Sequence, residues 1–251
     1  MGRVGQQGAR AQPSGASGRG ARSVPTLITF RPSSQELRVL FLGAHPDDIE
    51  IGCGGTLLEL SARPAATSVA ALVLTGDAQR TAETRLAMKS FFPGSSVEVL
   101  GFRDGRLPSQ RDEVKDALEL AARRHEPDII FAPRLSDAHQ DHRLIGELVT
   151  TVWRNSVILH YEIPKWDADL TPPNHYVPVD AAHAVRKTEL LDECFVSQRG
   201  RDWWDRDLFL GLMRLRGVEC RHTYAEGFTI GKAVLDLRTR DLRLGPSSPG
   251  G

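Results

Sequence analysis

"LRVLFLGAHPDDIEIGCGGTLLEL" (residues 37–60) joins an apolar run to a helical segment through a turn with one histidine and two adjacent aspartates. The first eight residues are apolar at almost every position, as in a parallel strand that is buried on both faces. A helix is expected at 54–63, opened by glycines. A plain turn does not need three ionisable groups, so this stretch predicts chemistry at the edge of a parallel sheet.

The alternation of short apolar runs with helical segments continues along the chain and predicts the fold class. Further strands are expected at 68–76, 96–102, 127–133, 156–164 and 225–234, and helices at 79–92, 111–125, 141–155, 180–195 and 201–217. This order is typical of an α/β fold with a mostly parallel sheet and helices on both faces. In such sheets, ligands bind beyond the carboxyl ends of the strands.

Composition predicts the domain organisation. Residues 1–24 are rich in Gly, Ser, Ala and Arg and have almost no large apolar side chains, which is typical of a disordered tail. Residues 25–240 are expected to form a single domain. Residues 241–251, which include the run "LGPSSPGG" (244–251), are expected to form a flexible C-terminal tail.

Charge and cysteine content narrow the classes of partner. Lys plus Arg equals Asp plus Glu at 32 each, so net charge gives no general attraction to nucleic acid or to an anionic membrane. No apolar stretch approaches the ~20 residues of a membrane span. The 3 cysteines do not suggest a disulfide framework, which favours a reducing compartment. We therefore expect a cytoplasmic protein that acts on a small molecule; a homo-oligomer stays an open alternative.

A second ionisable cluster, "RLSDAHQDHR" (134–143), follows the strand that ends in "DIIFAP". Because the carboxyl ends of parallel strands share one edge, both clusters are expected on the same rim. His45, Asp48 and His142 then supply two imidazoles and one carboxylate. This donor set suits zinc with an open fourth position, and it also suits iron(II).

The remaining polar residues of the two clusters fit roles in catalysis. Asp47 is not needed as a ligand and lies beside the predicted metal, where a carboxylate can act as general base. His139 can face the same metal and donate a hydrogen bond to a developing oxyanion. Asp141 can orient a ligand histidine from behind. A turn whose aspartate caps the next helix is the plainer alternative, but it explains neither His45 nor the second cluster.

The glycines of the first cluster have two interpretations. Gly52, Gly54 and Gly55 are expected to let the backbone approach the ligand loop and the substrate at a helix N-terminus. A dinucleotide-binding loop is the alternative. The spacing "GCGG" differs from G-x-G-x-x-G, and ionisable groups occupy the turn where a pyrophosphate would lie.

The two motifs together carry a resemblance to a known family. "AHPDDIEIGCGG" with the later "AHQDHR" resembles the PIG-L/LmbE family of zinc-dependent N-deacetylases, and the similarity extends from about residue 37 to 231. Shorter matches are "LTGD" (74–77), "FRDGRLP" (102–108), "RKTELLDECFVSQ" (186–198) and "YAEGF" (224–228). The resemblance implies a Rossmann-like fold.

The resemblance also implies a role for each site residue. It makes His45, Asp48 and His142 the zinc ligands, Asp47 the general base and His139 the group that polarises the amide carbonyl. In one place the chain departs from the family pattern.

That departure concerns an Arg-x-x-Glu pair, which the family often has in the helix after the second strand. Here "RLAM" keeps Arg85 but places Met88 where the acid would be. Arg85, Asp104 and Gln198 are expected to line the substrate pocket, although a surface salt bridge or a helix cap explains each equally well.

The function that this resemblance implies is that of a zinc-dependent hydrolase, which removes the N-acetyl group from an N-acetylated amino sugar or its conjugate. The alternatives are an amidase of a thiol–sugar conjugate and a catalytically silent sugar-binding protein. Asp47 and His139 argue against silence, because neither is required to hold a metal. Core packing is the favoured interpretation of the aromatic residues that could otherwise stack on a sugar: Tyr161, Trp166, Trp203 and Trp204.

Overall fold

The computed structural model describes residues 1–2, 36–63 and 67–234. Within them, the strands are β1 (Leu37–Gly43), β2 (Thr67–Thr75), β3 (Ser96–Phe102), β4 (Ile129–Pro133), β5 (Val157–Tyr161), β6 (His175–Val179) and β7 (Tyr224–Thr229). The α-helices are α1 (Asp48–Ser61), α2 (Ala78–Phe91), α3 (Arg111–Ala122), α4 (Gln140–Val152), α5 (Ala181–Cys194) and α6 (Arg206–Glu219). Residues 3–24 of the first predicted tail and all of the second lie outside the described residues.

The strands form one sheet in the order β3-β2-β1-β4-β5-β7-β6. The first five pair in parallel, and β7 pairs antiparallel with both β5 and β6. This arrangement confirms the mostly parallel, Rossmann-like sheet. The sequence did not predict β6, whose five residues include Pro178; an edge strand tolerates a proline there.

The central strand β1 separates two hydrophobic cores. Val39 and Phe41 pack with residues of α1, α2 and α5, whereas Leu40 and Leu42 pack with residues of α3 and α4. Alternate side chains of a strand point to opposite faces, which is why the run is apolar at successive positions. The helices therefore cover both faces, as expected. No helix in the described part of the chain is long and apolar enough to cross a bilayer.

The position of the site follows from the strand order. From β1 the chain builds outward through β2 and β3, and it then returns to place β4 on the other side of β1. A crevice opens between two such strands at their carboxyl ends, where the direction of winding reverses. The two ionisable clusters follow β1 and β4 and therefore meet at this crevice.

Helix α1 begins at Asp48, six residues earlier than expected, so the glycines lie inside the helix. A side chain on Gly52 would overlap the buried ring of Tyr161, and a Cβ on Gly54 would lie 2.8 Å from Cε1 of Phe91. A Cβ on Gly55 would lie 2.8 Å from Cγ2 of Val179. The glycines thus permit close packing of a buried helix. The expectation that they let the backbone approach a ligand is corrected.

Replacing Gly52 by alanine is expected to lower the free energy of unfolding by about 1–3 kcal/mol, because the Tyr161 ring cannot move without strain. That ring is fully buried, and its hydroxyl donates a 2.7 Å hydrogen bond to the carbonyl oxygen of Leu42. The matched control is Gly211→Ala in α6, where an added Cβ meets no atom within 4 Å. The control should gain about 0.5–1 kcal/mol. Urea denaturation of both variants measures the difference, and equal stability would contradict the packing argument.

Candidate metal centre

A cleft of about 600 Å³ lies at the carboxyl ends of the parallel strands. Both ionisable clusters line it, together with residues that follow β2, β3 and β5. Most of the residues expected from the sequence line the cleft. They are the ionisable residues of the first cluster, both histidines of the second, and two of the three predicted substrate contacts: His45, Asp47, Asp48, Asp104, His139, His142 and Gln198.

Three donor atoms converge in the cleft. Nδ1 of His45 lies 3.1 Å from Nε2 of His142, and Oδ2 of Asp48 lies 3.5 Å and 3.3 Å from these two nitrogens respectively. Two ligands of a tetrahedral zinc ion, each about 2.0–2.2 Å from the metal, are about 3.3 Å apart. The spacing and the chemistry of these donors therefore fit one divalent ion.

The carboxylate of Asp48 is held by the backbone of the turn before it. Its Oδ2 accepts hydrogen bonds from the backbone N–H groups of Ala44 at 2.9 Å and His45 at 2.8 Å. Burial raises the pKa of Asp48, but the two neighbouring histidines, His142 before His45, outweigh burial and hold this pKa well below its usual range. The carboxyl is thus ionised and fixed, as a metal ligand must be.

Asp141 lies behind His45. Its Oδ2 lies 3.2 Å from Nε2 of His45, and it is fully buried. The backbone N–H groups of Gly105 and Leu107 donate to its two oxygens at 2.8 Å and 3.1 Å. Asp104 approaches the same nitrogen of His45 at 3.1 Å from the solvent side. An anchored carboxylate of this kind fixes the ring orientation of a ligand histidine.

Asp137 has the same position behind His142, and the sequence did not single it out. Its Oδ2 lies 3.1 Å from Nδ1 of His142, although this contact lacks hydrogen-bond geometry. The backbone N–H of His139 donates to its Oδ1 at 2.9 Å. Burial raises the pKa of Asp137, yet the contact with His142 more than offsets this and lowers the pKa. The acid two residues before the first histidine of "AHQDH" was the signal that could have revealed it.

His139 occupies the N-cap of α4. Its Nδ1 accepts a hydrogen bond from the backbone N–H of Asp141 at 3.2 Å, so the neutral ring carries its proton on Nε2. Burial, followed by the charges of His45 and His142, lowers the pKa of His139, which favours this neutral form. The ring lies 4.7 Å and 4.8 Å, centroid to centroid, from those two histidines. His139 thus offers one N–H donor beside the converging ligands.

Asp47 has an unusual backbone and a buried carboxyl. Its φ of +101° lies in a region that non-glycine residues rarely adopt. Nη2 of Arg80 lies 2.7 Å from Oδ2 of Asp47. Burial raises the pKa of Asp47 to about 6, although Arg80 lowers it. Strained backbone of this kind is concentrated at functional sites, and a carboxyl that titrates near neutrality is suited to exchange protons.

The Arg-x-x-Glu pair exists, but at Arg80 and Glu83 rather than at Arg85 and Met88. Nη1 of Arg80 lies 3.0 Å from Oε2 of Glu83, which also accepts from the hydroxyl of Ser197 at 2.6 Å. Arg80 lines the cleft, whereas Arg85 is exposed and does not. Five residues turn a helix through about 500°, so Arg85 leaves the face that Arg80 occupies. The structure does not bring Arg85 to the cleft.

The other two predicted substrate contacts, Asp104 and Gln198, do line the cleft, and they differ in exposure. The side chain of Asp104 is 78% exposed, whereas Gln198 is buried and donates to the hydroxyl of Ser197 at 3.1 Å. Beneath the site, Glu50 is buried, and burial raises its pKa to about 8. Glu50 is therefore neutral at pH 7 and adds no negative charge to the centre.

Comparison with known proteins decides the family. A family model described as GlcNAc-PI de-N-acetylase (PIG-L) matches residues 40–153. The diacetylchitobiose deacetylase of Thermococcus kodakarensis is 31% identical over 228 residues, which are 78% of this chain and 84% of that protein. The chain belongs to the PIG-L family. The resemblance noted in the two motifs is thereby confirmed.

Two further proteins that are named as deacetylases are also similar to this chain. An uncharacterised deacetylase of Escherichia coli, YaiS, is 32% identical over 139 residues, half of this chain and 74% of its own length. The structure of the N,N'-diacetylchitobiose deacetylase of Pyrococcus horikoshii superposes with a TM-score of 0.63 at 26% identity, over 77% of this chain and 83% of that one. A hydratase of Pseudomonas putida, GalB, shares the fold at a TM-score of 0.66 and 16% identity. The fold alone therefore does not determine the reaction, and the site residues must.

Proposed function

We propose that the protein is a metal-dependent N-deacetylase that hydrolyses the acetamide of an N-acetylated amino sugar. The observation that carries the proposal is the convergence of His45, Asp48 and His142 beside the buried carboxyl of Asp47. These three residues would hold zinc, and iron(II) suits the same donor set. The names of the T. kodakarensis and P. horikoshii relatives support an amino-sugar amide as the substrate.

The residues around the proposed ion supply the proton transfers. A divalent ion there would act as a Lewis acid on the carbonyl oxygen. Asp47 takes a proton from the attacking water, and Arg80 at 2.7 Å keeps its carboxylate oriented. Nε2–H of His139 donates to the developing oxyanion. Asp47 then returns the proton to the amine nitrogen as the C–N bond breaks, so that water and amide become acetic acid and the free amine, which at neutral pH are acetate and an ammonium group.

The alternative of a silent sugar-binding protein is less well supported. A protein that only binds a sugar needs no buried carboxyl at a strained backbone position, and Asp47 has both features. Acetate release from a panel of N-acetylated sugars tests the proposal. The same sample should lose activity when a chelator strips the metal and regain it when zinc or iron(II) is added.

Replacing His142 by alanine is expected to reduce the metal content from about one ion per chain to a small fraction, because two ligands seldom retain zinc. Elemental analysis of the purified variant measures this. The matched control is His222→Ala, which removes a histidine whose Nδ1 lies 2.9 Å from the carbonyl oxygen of Cys220 and which does not line the cleft. The control should keep its metal. A His142 variant with full metal content would remove His142 from the ligand set.

A further inference from the structure

One aromatic side chain of the cleft wall is exposed, against the expectation of core packing. Trp166, in the segment between β5 and β6, is 62% exposed, whereas Tyr161 is fully buried in the core. The ring of Trp166 contacts that of Trp203 edge-on, with centroids 5.9 Å apart, and both rings line the cleft. Tryptophan buries a large apolar area when a ring stacks on it, so its exposure at a cleft indicates a ligand contact.

Trp166 packs against Trp203, which belongs to a cluster of aromatic side chains. Trp203 packs against Trp204 at 5.6 Å and Phe209 at 6.4 Å between ring centroids. The indole N–H of Trp204 donates to Asp192 at 3.0 Å, which ties this cluster to α5. Because these ring contacts hold Trp166 in place, its side chain loses little conformational entropy when a ligand stacks on it, which favours stacking.

Trp166 is close to the proposed metal centre. Its neighbour Lys165 places Nζ 3.8 Å from Oδ1 of Asp137, whose other oxygen lies 3.1 Å from His142. Adjacent Cα atoms are about 3.8 Å apart. Trp166 is therefore the neighbour, along the chain, of a lysine that contacts Asp137, and Asp137 lies next to the proposed ligand His142. A sugar whose acetamide lies at the metal would place its next ring along this wall.

The charges of the cleft decide which kind of ring fits. Five carboxylates line it, namely Asp47, Asp48, Asp77, Asp104 and Asp167, against three cations. Two cations are already paired, Arg80 with Asp47 at 2.7 Å and Lys165 with Asp167 at 3.2 Å. Among the residues that the structure describes, Arg201 is the lining cation without a recorded side-chain partner. With the proposed divalent ion included, the five negative charges are balanced by five positive ones. A diphosphate would therefore find no net positive charge in the cleft, and an uncharged ligand is favoured.

We propose that Trp166, supported by Trp203, is the platform on which a second, uncharged pyranose ring of the substrate stacks. The inference rests on the proposed deacetylase function and makes the substrate an N-acetylated oligosaccharide rather than a nucleotide sugar. The apolar face of the pyranose covers the indole, while Gln198 and Arg201, which also line the cleft, supply polar groups for its hydroxyls. A cleft of about 600 Å³ lies in the size range of sites for ligands larger than one sugar.

The test compares N-acetylglucosamine, N,N'-diacetylchitobiose and UDP-N-acetylglucosamine as substrates of the metal-loaded protein. Trp166→Ala should lower kcat/KM for the disaccharide about tenfold, mainly through KM, because loss of a stacking partner weakens binding to about this extent. The monosaccharide should change by less than about twofold. Trp166→Phe should restore most of the disaccharide activity. The control is Leu215→Ala, which removes a side chain 52% exposed on α6 that does not line the cleft.

An equal loss on the monosaccharide would overturn the platform, because Trp166 would then contact the reacting sugar. Unchanged kcat/KM for all three substrates would overturn it as well. A loss of kcat/KM confined to UDP-N-acetylglucosamine would also overturn it, because the indole of Trp166 would then stack on the uracil base instead of a pyranose. Calorimetric binding of the disaccharide separates this proposal from the deacetylase one. If no substrate releases acetate, the function fails, yet binding weakened by Trp166→Ala and not by Leu215→Ala still supports the platform. Wild-type protein that does not bind the disaccharide would refute it.

Discussion

Asp47→Asn is expected to lower kcat by about 10²–10⁴-fold while the metal content stays that of the wild type, because the amide cannot accept a proton from water. The asparagine keeps the size of the side chain and tolerates the positive φ of this position. Steady-state acetate release and elemental analysis of the same preparation measure the two quantities.

The neighbouring aspartate provides the contrast. Asp48→Asn removes one of the three converging donor atoms, so its metal content and its kcat should fall together. Asp47→Asn should separate the two quantities. Turnover close to the wild-type value in the metal-loaded Asp47 variant would exclude Asp47 as the base.

The pH dependence of kcat/KM gives a second measure of the same residue. Asp47 acts as a base only when ionised, so kcat/KM should fall as the pH drops through its pKa. Burial raises that pKa to about 6, and the charge of a bound divalent ion lowers it again. We therefore expect the acid limb at or below pH 6.

His139→Ala is expected to lower kcat by about 10²–10³-fold with little change in KM, because a hydrogen bond to the oxyanion strengthens only in the transition state. The metal content should not change, since the three converging donors belong to other residues. The rate is measured at saturating substrate beside elemental analysis.

The control for His139 separates catalysis from helix capping. His139 caps α4 through Nδ1, so the alanine variant also loses about 1 kcal/mol of stability. His139→Asn restores a preferred N-cap residue but is shorter, so it should recover the stability and not the turnover. A metal-free alanine variant would place His139 among the ligands instead. Unchanged kcat with a higher KM would make it a substrate-binding residue.

The sequence was sufficient to predict the five parallel strands and the two clusters, for a physical reason. A parallel strand covered on both faces must be apolar at successive positions, and β1 shows this at Val39, Leu40 and Phe41. The residues after such strands meet at one edge, so His45 and His142 could be expected together although 96 residues lie between them. Both inferences depend on local patterns.

The features that the sequence did not reveal depend on packing between distant segments. Arg80 rather than Arg85 faces the cleft because of the rotation of α2 about its axis, which the weak amphipathic pattern of that helix does not specify. Asp137 lies next to the second cluster in the sequence, but its contact with Nδ1 of His142 depends on how α4 packs. The start of α1 was misplaced because its glycines were taken as a helix opening, whereas they contact Tyr161, Phe91 and strand β6.

The backbone of Asp47 has an evolutionary consequence. Its positive φ disfavours any side chain except those of glycine, asparagine and aspartate, and its raised pKa means that the ionised carboxyl is less stable in the folded protein than in water. In the metal-free protein at neutral pH, both effects oppose folding. In homologues without selection for catalytic activity, substitutions to glycine or asparagine would accumulate at this position. Such substitutions would raise the free energy of unfolding and abolish the activity. Under the proposed function, selection on the reaction would oppose selection on the fold at position 47.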